Sequence, residues 1–171
     1  MNRMKAIQLE KLTLNIGAGE AGPVLDKAKA LIEKISGKKV VITRTSRRTT
    51  FGTPKGRPIG VKVTLRDPEA TQLLKKLLHA VDNQLSPSCF DVHGNFSFGI
   101  REYINIPGIK YDPDIGILGM DVAVTLERPG FRVTRRMYRP AKVGSSHLIT
   151  QTDAQEFVQK AFGVTLKSGE E

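Results

Sequence analysis

The sequence has few of the residues that build disulfides, metal sites and stacking platforms. Its 171 residues include one cysteine, three histidines and no tryptophan, and aromatic residues make up 6%. Cys89 has no partner for an intramolecular disulfide, and His79, His93 and His147 lack metal-ligand spacing. We therefore predict no metal and no cofactor. So few aromatic side chains also argue against a protein that binds single strands by stacking bases on aromatic rings.

Long apolar runs and catalytic patterns are missing too. No stretch approaches the roughly 18 apolar residues of a membrane span. Residues 7–16 alternate apolar with polar instead of forming the core of a secretory signal. We expect a cytoplasmic protein with no membrane partner. No triad or paired-carboxylate motif indicates catalysis, and Asp112-Pro113-Asp114 is an ordinary turn sequence, so we predict that the chain is not an enzyme.

Acidic residues are absent from two long stretches of a chain whose formal net charge is +10. Between Glu33 and Asp67 there are ten basic residues and no acidic one, and residues 128–152 hold six more without an acid. A basic run alone is often only a solvated face. Two such runs inside a folded chain hold their charges in fixed positions, which favours a shaped polyanion such as folded RNA.

Helical and period-two patterns alternate along the chain without a repeat. They predict strands near 7–16, 40–45, 59–66 and 120–126, a hairpin of 90–92 with 96–98, and helices near 23–36, 67–86 and 152–162. Pro23 and Gly37 are the start and stop signals of the first helix. Asp67 is the expected N-cap of the second, and Thr152 begins a capping-box spacing for the last.

This order of elements predicts an α+β fold, with a largely antiparallel sheet in a two-layer arrangement and helices packed on one face. We expect one domain over residues 1–171. The other sheet face is predicted to carry polar side chains: Lys11, Thr13, Asn15, Lys62, Thr64 and Arg66. A basic loop at about 46–58 is longer than a simple connection, which is typical of functional or disordered loops.

The glycines from Gly17 to Gly22 fit the phosphate-binding pattern of dinucleotide folds, between a predicted strand and helix. However, the strand before them alternates, whereas the first strand of that fold is buried on both faces. No helix is predicted between the strands near 40–45 and 59–66, so the required strand–helix succession is missing. Because Arg44 could suit a 2′-phosphate, an NADP-binding enzyme remains a remote alternative.

Four segments occur in an order that resembles a known family: KLTLNIGAGEA at 11–21, GKKVVITRT at 37–45, PIGVKVTLR at 58–66, and 90–124, which begins FDVHGNFSFG. Together they resemble the L-five family of large-subunit ribosomal proteins in its archaeal and eukaryotic form. RPGFRVTRR at 128–136 is similar to that form as well. The resemblance implies a ribosomal protein that binds 5S rRNA, and it interprets the glycine pattern as a tight turn.

The resemblance further implies a protein that anchors 5S rRNA in the central protuberance. By position it places Asn15, Lys38 and Thr64 on 5S rRNA. Bacterial relatives more often have glutamine where Lys38 stands, a change that would turn a neutral hydrogen bond into a phosphate contact. The implied partners are 5S rRNA, large-subunit rRNA, P-site tRNA and other ribosomal proteins, including one of the small-subunit head. An obligate homo-oligomer is not expected.

Three sets of candidate contact residues follow from the residues and the resemblance. The 5S rRNA set comprises Asn15, Lys38, Thr64, Lys11, Thr13, Lys62, Arg66 and Arg44. The loop set, for tRNA, comprises Arg47, Arg48, Phe51, Lys55 and Arg57. The second basic stretch, for rRNA or a partner, offers Arg132, Arg135, Arg136 and Arg139, among strand-like residues. Charge alone would equally support a stand-alone RNA-binding module or RNA chaperone.

Overall fold

The structure, a computed structural model, describes residues 2–19, 21–48, 52 and 54–167. The strands within these residues are β1 (Gln8–Gly17), β2 (Val41–Arg44), β3 (Pro58–Leu65), β4 (Gln84–Leu85), β5 (Phe96–Ile100), β6 (Met120–Glu127) and β7 (Thr165–Leu166). The α-helices are α1 (Pro23–Ser36), α2 (Asp67–His79), α3 (Arg132–Arg135) and α4 (Gln151–Phe162). None of the helices in the described part is long and apolar enough to cross a membrane.

Five strands form one sheet in the order β2-β3-β1-β6-β5, and all neighbouring strands run antiparallel. The predicted α+β fold with a largely antiparallel sheet is therefore confirmed. β1 lies at the centre, antiparallel to both β3 and β6. A dinucleotide-binding fold needs parallel strands joined by helices, so the glycines that follow β1 do not belong to such a fold. β4 and β7 form a separate parallel pair.

The core lies between the sheet and the helices because alternate strand residues point to that side. In β1 the buried residues are Leu12, Leu14 and Ile16, each at most 4% exposed. α1 packs on β3 and α2 packs on β1, and the buried apolar side chains form one cluster. Burying one such side chain fully stabilises the fold by about 1.5–3 kcal/mol. This burial leaves the opposite face of the sheet free of α1 and α2.

The two long N-terminal helices differ in how well their ends were predicted. α1 spans 23–36 as expected, and its C-cap Gly37 is left-handed, with φ 64° and its N–H bonded to Glu33 O at 2.8 Å. α2 has Arg66 as its N-cap instead of the predicted Asp67. The predicted end of this helix near residue 86 was also wrong. It ends at His79, because Asp82 and Asn83 adopt left-handed conformations with φ 55° and 54°.

The N-cap of the C-terminal helix lies two residues earlier than predicted. Thr150, not Thr152, is the N-cap of α4. Its hydroxyl accepts a hydrogen bond from the Asp153 N–H at 3.2 Å, and the Asp153 carboxylate accepts one from the Thr150 N–H at 3.4 Å. This reciprocal pair satisfies two N–H groups of the first turn. Gly163 ends the helix in a left-handed conformation, as the sequence predicted.

Two segments predicted as strand-like have other structures. Residues 90–92 form only a single bridge, between Phe90 and Phe96, and the chain turns where the Asp91 N–H donates to Asn95 O at 2.7 Å. The hairpin prediction was therefore wrong for its first arm. Residues 132–135 form the short helix α3. In both places turn hydrogen bonds close over a few residues and leave the backbone unavailable for a strand ladder.

Candidate nucleic-acid interface

Polar side chains cover the side of the five-stranded sheet that faces away from α1 and α2, here called the open face. The central strands contribute Lys11, Thr13, Asn15, Lys62 and Thr64, all exposed or half-buried. Asn15 lies directly opposite Lys62, and Thr13 lies directly opposite Thr64. Five of the predicted 5S rRNA contacts thus lie together on two adjacent strands. The arrangement provides ammonium donors beside hydroxyl and amide groups, which can both donate and accept.

The neighbouring strands complete the open face with residues that the sequence reasoning missed. Asp121 of β6 lies opposite Asn15, and Ala123 lies opposite Thr13. Ser97 and Gly99 of β5 follow across β6. Their alternation was visible in the sequence, but the pairing of β6 with β1 was needed to bring them beside Asn15. An exposed carboxylate therefore lies within a face that the sequence reasoning treated as neutral or basic.

A β-bulge in β1 brings one acidic side chain against the second basic stretch. The pairing with β6 shifts between Leu9 and Lys11, leaving Glu10 as the extra residue. The Glu10 carboxylate is 7% exposed and accepts both arms of Arg135, at 2.5 and 2.7 Å. These hydrogen bonds raise the pKa of Arg135. Lys11 Nζ also lies 3.7 Å from Glu10 Oε1, so its charge is partly compensated.

The remaining members of the predicted 5S rRNA set lie outside the strands' central rows. Arg44 is the exposed last residue of β2, opposite Pro58. Arg66 is exposed and precedes α2. Lys38 follows the end of α1, and its ammonium group forms an ion pair with Glu69 of α2. The structure therefore does not bring Lys38 into the rows of the open face that hold Asn15 and Thr64.

Hydrogen bonds join the two ends of the basic loop between β2 and β3. Thr45 accepts a hydrogen bond from the Gly56 N–H at 2.9 Å, donates its own N–H to Arg57 O at 2.9 Å, and donates its hydroxyl to Pro54 O at 2.7 Å. The described basic residues of the loop are all exposed: Arg47, Arg48, Lys55 and Arg57. Phe51 lies outside the described residues. A long projecting loop therefore remains a prediction.

The second basic stretch contains arginines with different environments, which its sequence pattern did not distinguish. Arg128 is buried and Arg135 is held by Glu10. Arg132, Arg136 and Arg139 are exposed. The Arg136 Nε donates to Arg139 O at 2.8 Å, and the Arg139 guanidinium lies 5.1 Å from the centre of the Tyr138 ring. Arg135 is exposed as well, but Glu10 holds its guanidinium group, so Arg132, Arg136 and Arg139 are the members without a carboxylate partner among the described residues.

A metal site is not part of this arrangement: no group of three His, Cys, Asp or Glu side chains in the described ranges is placed to hold an ion. The fold and the open face instead define a class, the small basic α+β proteins that present a polar sheet face and cationic segments to a polyanion. Comparison with known proteins resolves the class further.

Residues 2–50 match the family described as ribosomal protein L5, and residues 58–165 match the C-terminal part of the same ribosomal family. The large ribosomal subunit protein uL5 of Sulfurisphaera tokodaii is 49% identical over 171 residues, covering 99% of this chain and 97% of that protein. The protein of the same name from Nitrosopumilus maritimus is 49% identical over 165 residues, or 95% of each chain. That of Methanosphaera stadtmanae is 44% identical and is covered completely.

The chain belongs to the L5 family of ribosomal proteins. The predicted resemblance to the archaeal form of this large-subunit family is thereby confirmed. The family consists of ribosomal structural proteins, so the prediction that the chain is not an enzyme is also confirmed.

Proposed function

We propose that the open face binds 5S rRNA and thereby helps to anchor it in the central protuberance of the large ribosomal subunit. The observation that carries this proposal is the placement of Asn15, Lys62 and Thr64 on adjacent central strands, on the sheet side away from α1 and α2. Strands hold these groups more rigidly than a loop would. A rigid polar face suits an RNA that is recognised by its shape.

Different side chains of the open face make different kinds of contact with RNA. Lys62 neutralises phosphate, while the Thr13 and Thr64 hydroxyls and the Asn15 amide make directed hydrogen bonds to 2′-hydroxyls and phosphate oxygens. Lys11 adds charge, reduced by the nearby Glu10. The exposed guanidinium groups of Arg44 and Arg66 extend the phosphate contacts beyond the strands. The threonine and asparagine groups position the RNA, and the cations supply most of the affinity.

Lys38 has a different position within this proposal. Its ammonium group is paired with Glu69, and both side chains are about half exposed, at 48% and 59%. An exposed pair of this kind contributes little to stability. Lys38 can therefore exchange the carboxylate for a phosphate at low cost when RNA binds beside the start of α2.

The loop and the second basic stretch extend the proposal to further partners. We assign the exposed loop cations to contact with P-site tRNA, together with Phe51.

The exposed Arg132, Arg136 and Arg139 are assigned to large-subunit rRNA or a neighbouring protein. Arg135 is not among them, because Glu10 holds its guanidinium group. A contact with a protein of the small-subunit head belongs to the same proposal and rests on the family resemblance.

Sedimentation tests the main proposal. A tagged copy should be found in large subunits, and a variant with Asn15, Lys62 and Thr64 all changed to alanine should be depleted from them at least several-fold. A control with Gln159→Ala and Lys160→Ala, on the exposed side of α4, should incorporate as the unmodified chain does. Equal incorporation of both variants would refute the role of the open face. Absence of the unmodified chain from large subunits would favour a stand-alone RNA-binding module.

The loop assignment is tested separately. Changing Arg47, Arg48, Lys55 and Arg57 to alanine should leave 5S rRNA affinity nearly intact and should weaken tRNA binding by large subunits that carry the variant. A large loss of 5S rRNA affinity would instead place the loop on 5S rRNA. Unchanged tRNA binding would remove the tRNA assignment.

A further inference from the structure

The open face contains a depression between β1, β5 and β6 that its proposed role does not explain. Its open-face lining consists of Asn15, Gly17, Gly99, Arg101, Gly119 and Asp121. Its volume is about 370 Å³, within the range of about 300–1,000 Å³ that is usual for ligand sites. Here it is called the glycine depression. A flat docking surface for a helix of RNA would not need such a hollow.

Glycines create the hollow because they leave the sheet backbone uncovered. A Cβ at Gly17 would meet no atom within 4 Å, and one at Gly99 would meet only Asp121 Oδ1, at 4.0 Å. The space above both glycines is therefore open. Gly119 has a different reason for lacking a side chain, since a Cβ there would lie 3.0 Å from the Ile100 and Arg101 carbonyl oxygens. Space is therefore open above Gly17 and Gly99, whereas Gly119 packs closely against the backbone at the end of β5.

The one carboxylate of the depression has no cationic partner within the described chain. Asp121 is exposed, lies between Asn15 and Gly99 in the strand register, and takes part in none of the ion pairs formed among the described residues. Arg101 likewise takes part in none of the ion pairs formed among the described residues. A carboxylate at this position repels phosphate, so it lowers RNA affinity unless the RNA offers it hydrogen-bond donors.

RNA has few such donors, and their geometry selects among the bases. An ionised carboxylate only accepts hydrogen bonds, through two adjacent oxygens. Guanine is the base whose Watson–Crick edge carries two adjacent donors, the N1–H and N2–H groups, whereas the other bases offer one donor group there. Beside these donors lies the guanine O6, an acceptor that matches the amide N–H of Asn15. Unpaired bases are read on this edge when they leave the helical stack.

Arg101 can take the place of an aromatic stacking partner. None of the side chains that line the depression is aromatic. A planar guanidinium stacks on the face of a base, and it also attracts the neighbouring phosphate. We propose that the glycine depression binds one unpaired guanine of the RNA, with Asp121 reading N1–H and N2–H, Asn15 reading O6 and Arg101 stacking on the ring. This inference rests on the proposed RNA-binding function of the open face.

The test compares Asp121→Asn with the matched variant Asp114→Asn, which removes the same charge from an exposed turn outside the open face. The full chain is titrated with 5S rRNA and with copies in which each guanine outside the helices is replaced, one at a time, by inosine. Inosine keeps N1–H and lacks the N2 amino group. Thermal melts of both variants check that the fold is retained.

The proposed guanine site predicts both the direction and the size of the change in RNA affinity. One inosine replacement should weaken binding of the unmodified chain and of Asp114→Asn by about fivefold or more, the loss of part of a bidentate base contact. Asp121→Asn should bind normal 5S rRNA more weakly than the unmodified chain and should be insensitive to that inosine. Simple phosphate repulsion predicts the opposite, tighter binding by Asp121→Asn.

The outcomes separate this inference from the proposed function. If the unmodified chain prefers 5S rRNA over tRNA, but Asp121→Asn binds every RNA equally well or better, the guanine site is refuted and the open face stands. Base reading would also be refuted if no inosine replacement weakened binding by the unmodified chain. In that case a uniformly lower affinity of Asp121→Asn for 5S rRNA and all its inosine copies would not depend on a particular guanine. If the unmodified chain shows no preference for 5S rRNA, the proposed function fails first.

Discussion

Arg128 and Asp153 form an ion pair, 2.9 Å between Nη2 and Oδ2, that joins the end of β6 to the first turn of α4. The Arg128 side chain is 10% exposed, and its Nη1 donates to Leu148 O at 2.9 Å. Asp153 also completes the capping box with Thr150. A single carboxylate therefore holds both the start of the C-terminal helix and the buried arginine beneath it.

Removing Arg128 should destabilise the fold more than removing an exposed cation. Arg128→Met keeps apolar bulk but removes the guanidinium donor to the Leu148 carbonyl and the cation that pairs with Asp153. We expect a loss of about 1–3 kcal/mol in the free energy of unfolding. Lys160→Met breaks only the exposed pair with Glu156 and should cost under about 0.5 kcal/mol. Urea denaturation measures both. Equal losses would contradict the structural role of Arg128.

Asp153 should make stability depend on pH in the acid range. Burial opposes its ionisation, but the hydrogen bonds from Thr150 and the charge and hydrogen bond of Arg128 outweigh this and lower the pKa of Asp153 below 3.8. A lowered folded pKa stabilises the fold above the unfolded pKa, and this stabilisation disappears as pH falls through the folded pKa. The melting temperature of Asp153→Asn should therefore lie below that of the unmodified chain at pH 7 and approach it below pH 3.8. A constant gap would contradict this linkage.

Gly60 should be intolerant of a side chain that Gly17 accepts. An added Cβ at Gly60 would lie 2.8 Å from Ile16 O and 2.9 Å from Thr43 Oγ1, whereas at Gly17 it would meet no atom within 4 Å. Because the Ile16 contact is with backbone, we expect Gly60→Ala to cost about 1–3 kcal/mol through overpacking. Gly17→Ala should change stability by less than about 0.5 kcal/mol. Urea denaturation measures the difference, because the midpoint reports stability when the dependence of the unfolding free energy on urea is unchanged. Similar losses of stability in Gly60→Ala and Gly17→Ala would refute the close packing of β1 and β3.

Lys62 and Asn15 should affect RNA binding in different ways although they are cross-strand neighbours. Lys62→Ala removes a phosphate contact and should reduce the steepness of log K against log salt by about 1. Asn15→Ala removes a neutral hydrogen bond and should weaken 5S rRNA binding without changing that slope. Titrations at several salt concentrations separate the two effects. A slope change in both variants would mean that Asn15 acts by orienting a cation.

Local sequence signals predicted the fold where a single residue determines an end. α1 begins at Pro23 and is capped by Gly37, as expected. Proline lacks the N–H that the start of a helix leaves without a partner, and glycine readily adopts the left-handed conformation that ends one. The early end of α2 was missed because the apolar spacing continues through Val81 and Leu85. Asp82 and Asn83 instead form a left-handed turn, a conformation that Asp and Asn adopt more readily than most residues, just before β4 pairs with β7. That pairing joins distant parts of the chain, Gln84 with Thr165, which no local pattern indicates.

The residues of the open face were predictable within a strand but not between strands. Alternation along β1 and β3 identified Lys11, Asn15 and Thr64 as pointing away from the core, because a strand repeats every two residues. Which strands lie side by side was not available from the pattern, so the place of Asp121 beside Asn15 was missed. The internal pairing of Arg135 with Glu10 was missed for the same reason, since a bulge and a distant short helix bring them together.

The open face should make this chain selective for 5S rRNA over other folded RNAs. The decisive measurement is binding of the purified protein to 5S rRNA, with excess tRNA as competitor, at two or more salt concentrations. If about six phosphates are neutralised, log K should fall with log salt at a slope of roughly −4 to −5 for either RNA, so selectivity is the informative result. We predict that the 5S rRNA complex survives excess tRNA. Displacement by tRNA as readily as by unlabelled 5S rRNA would contradict recognition of 5S rRNA by the open face.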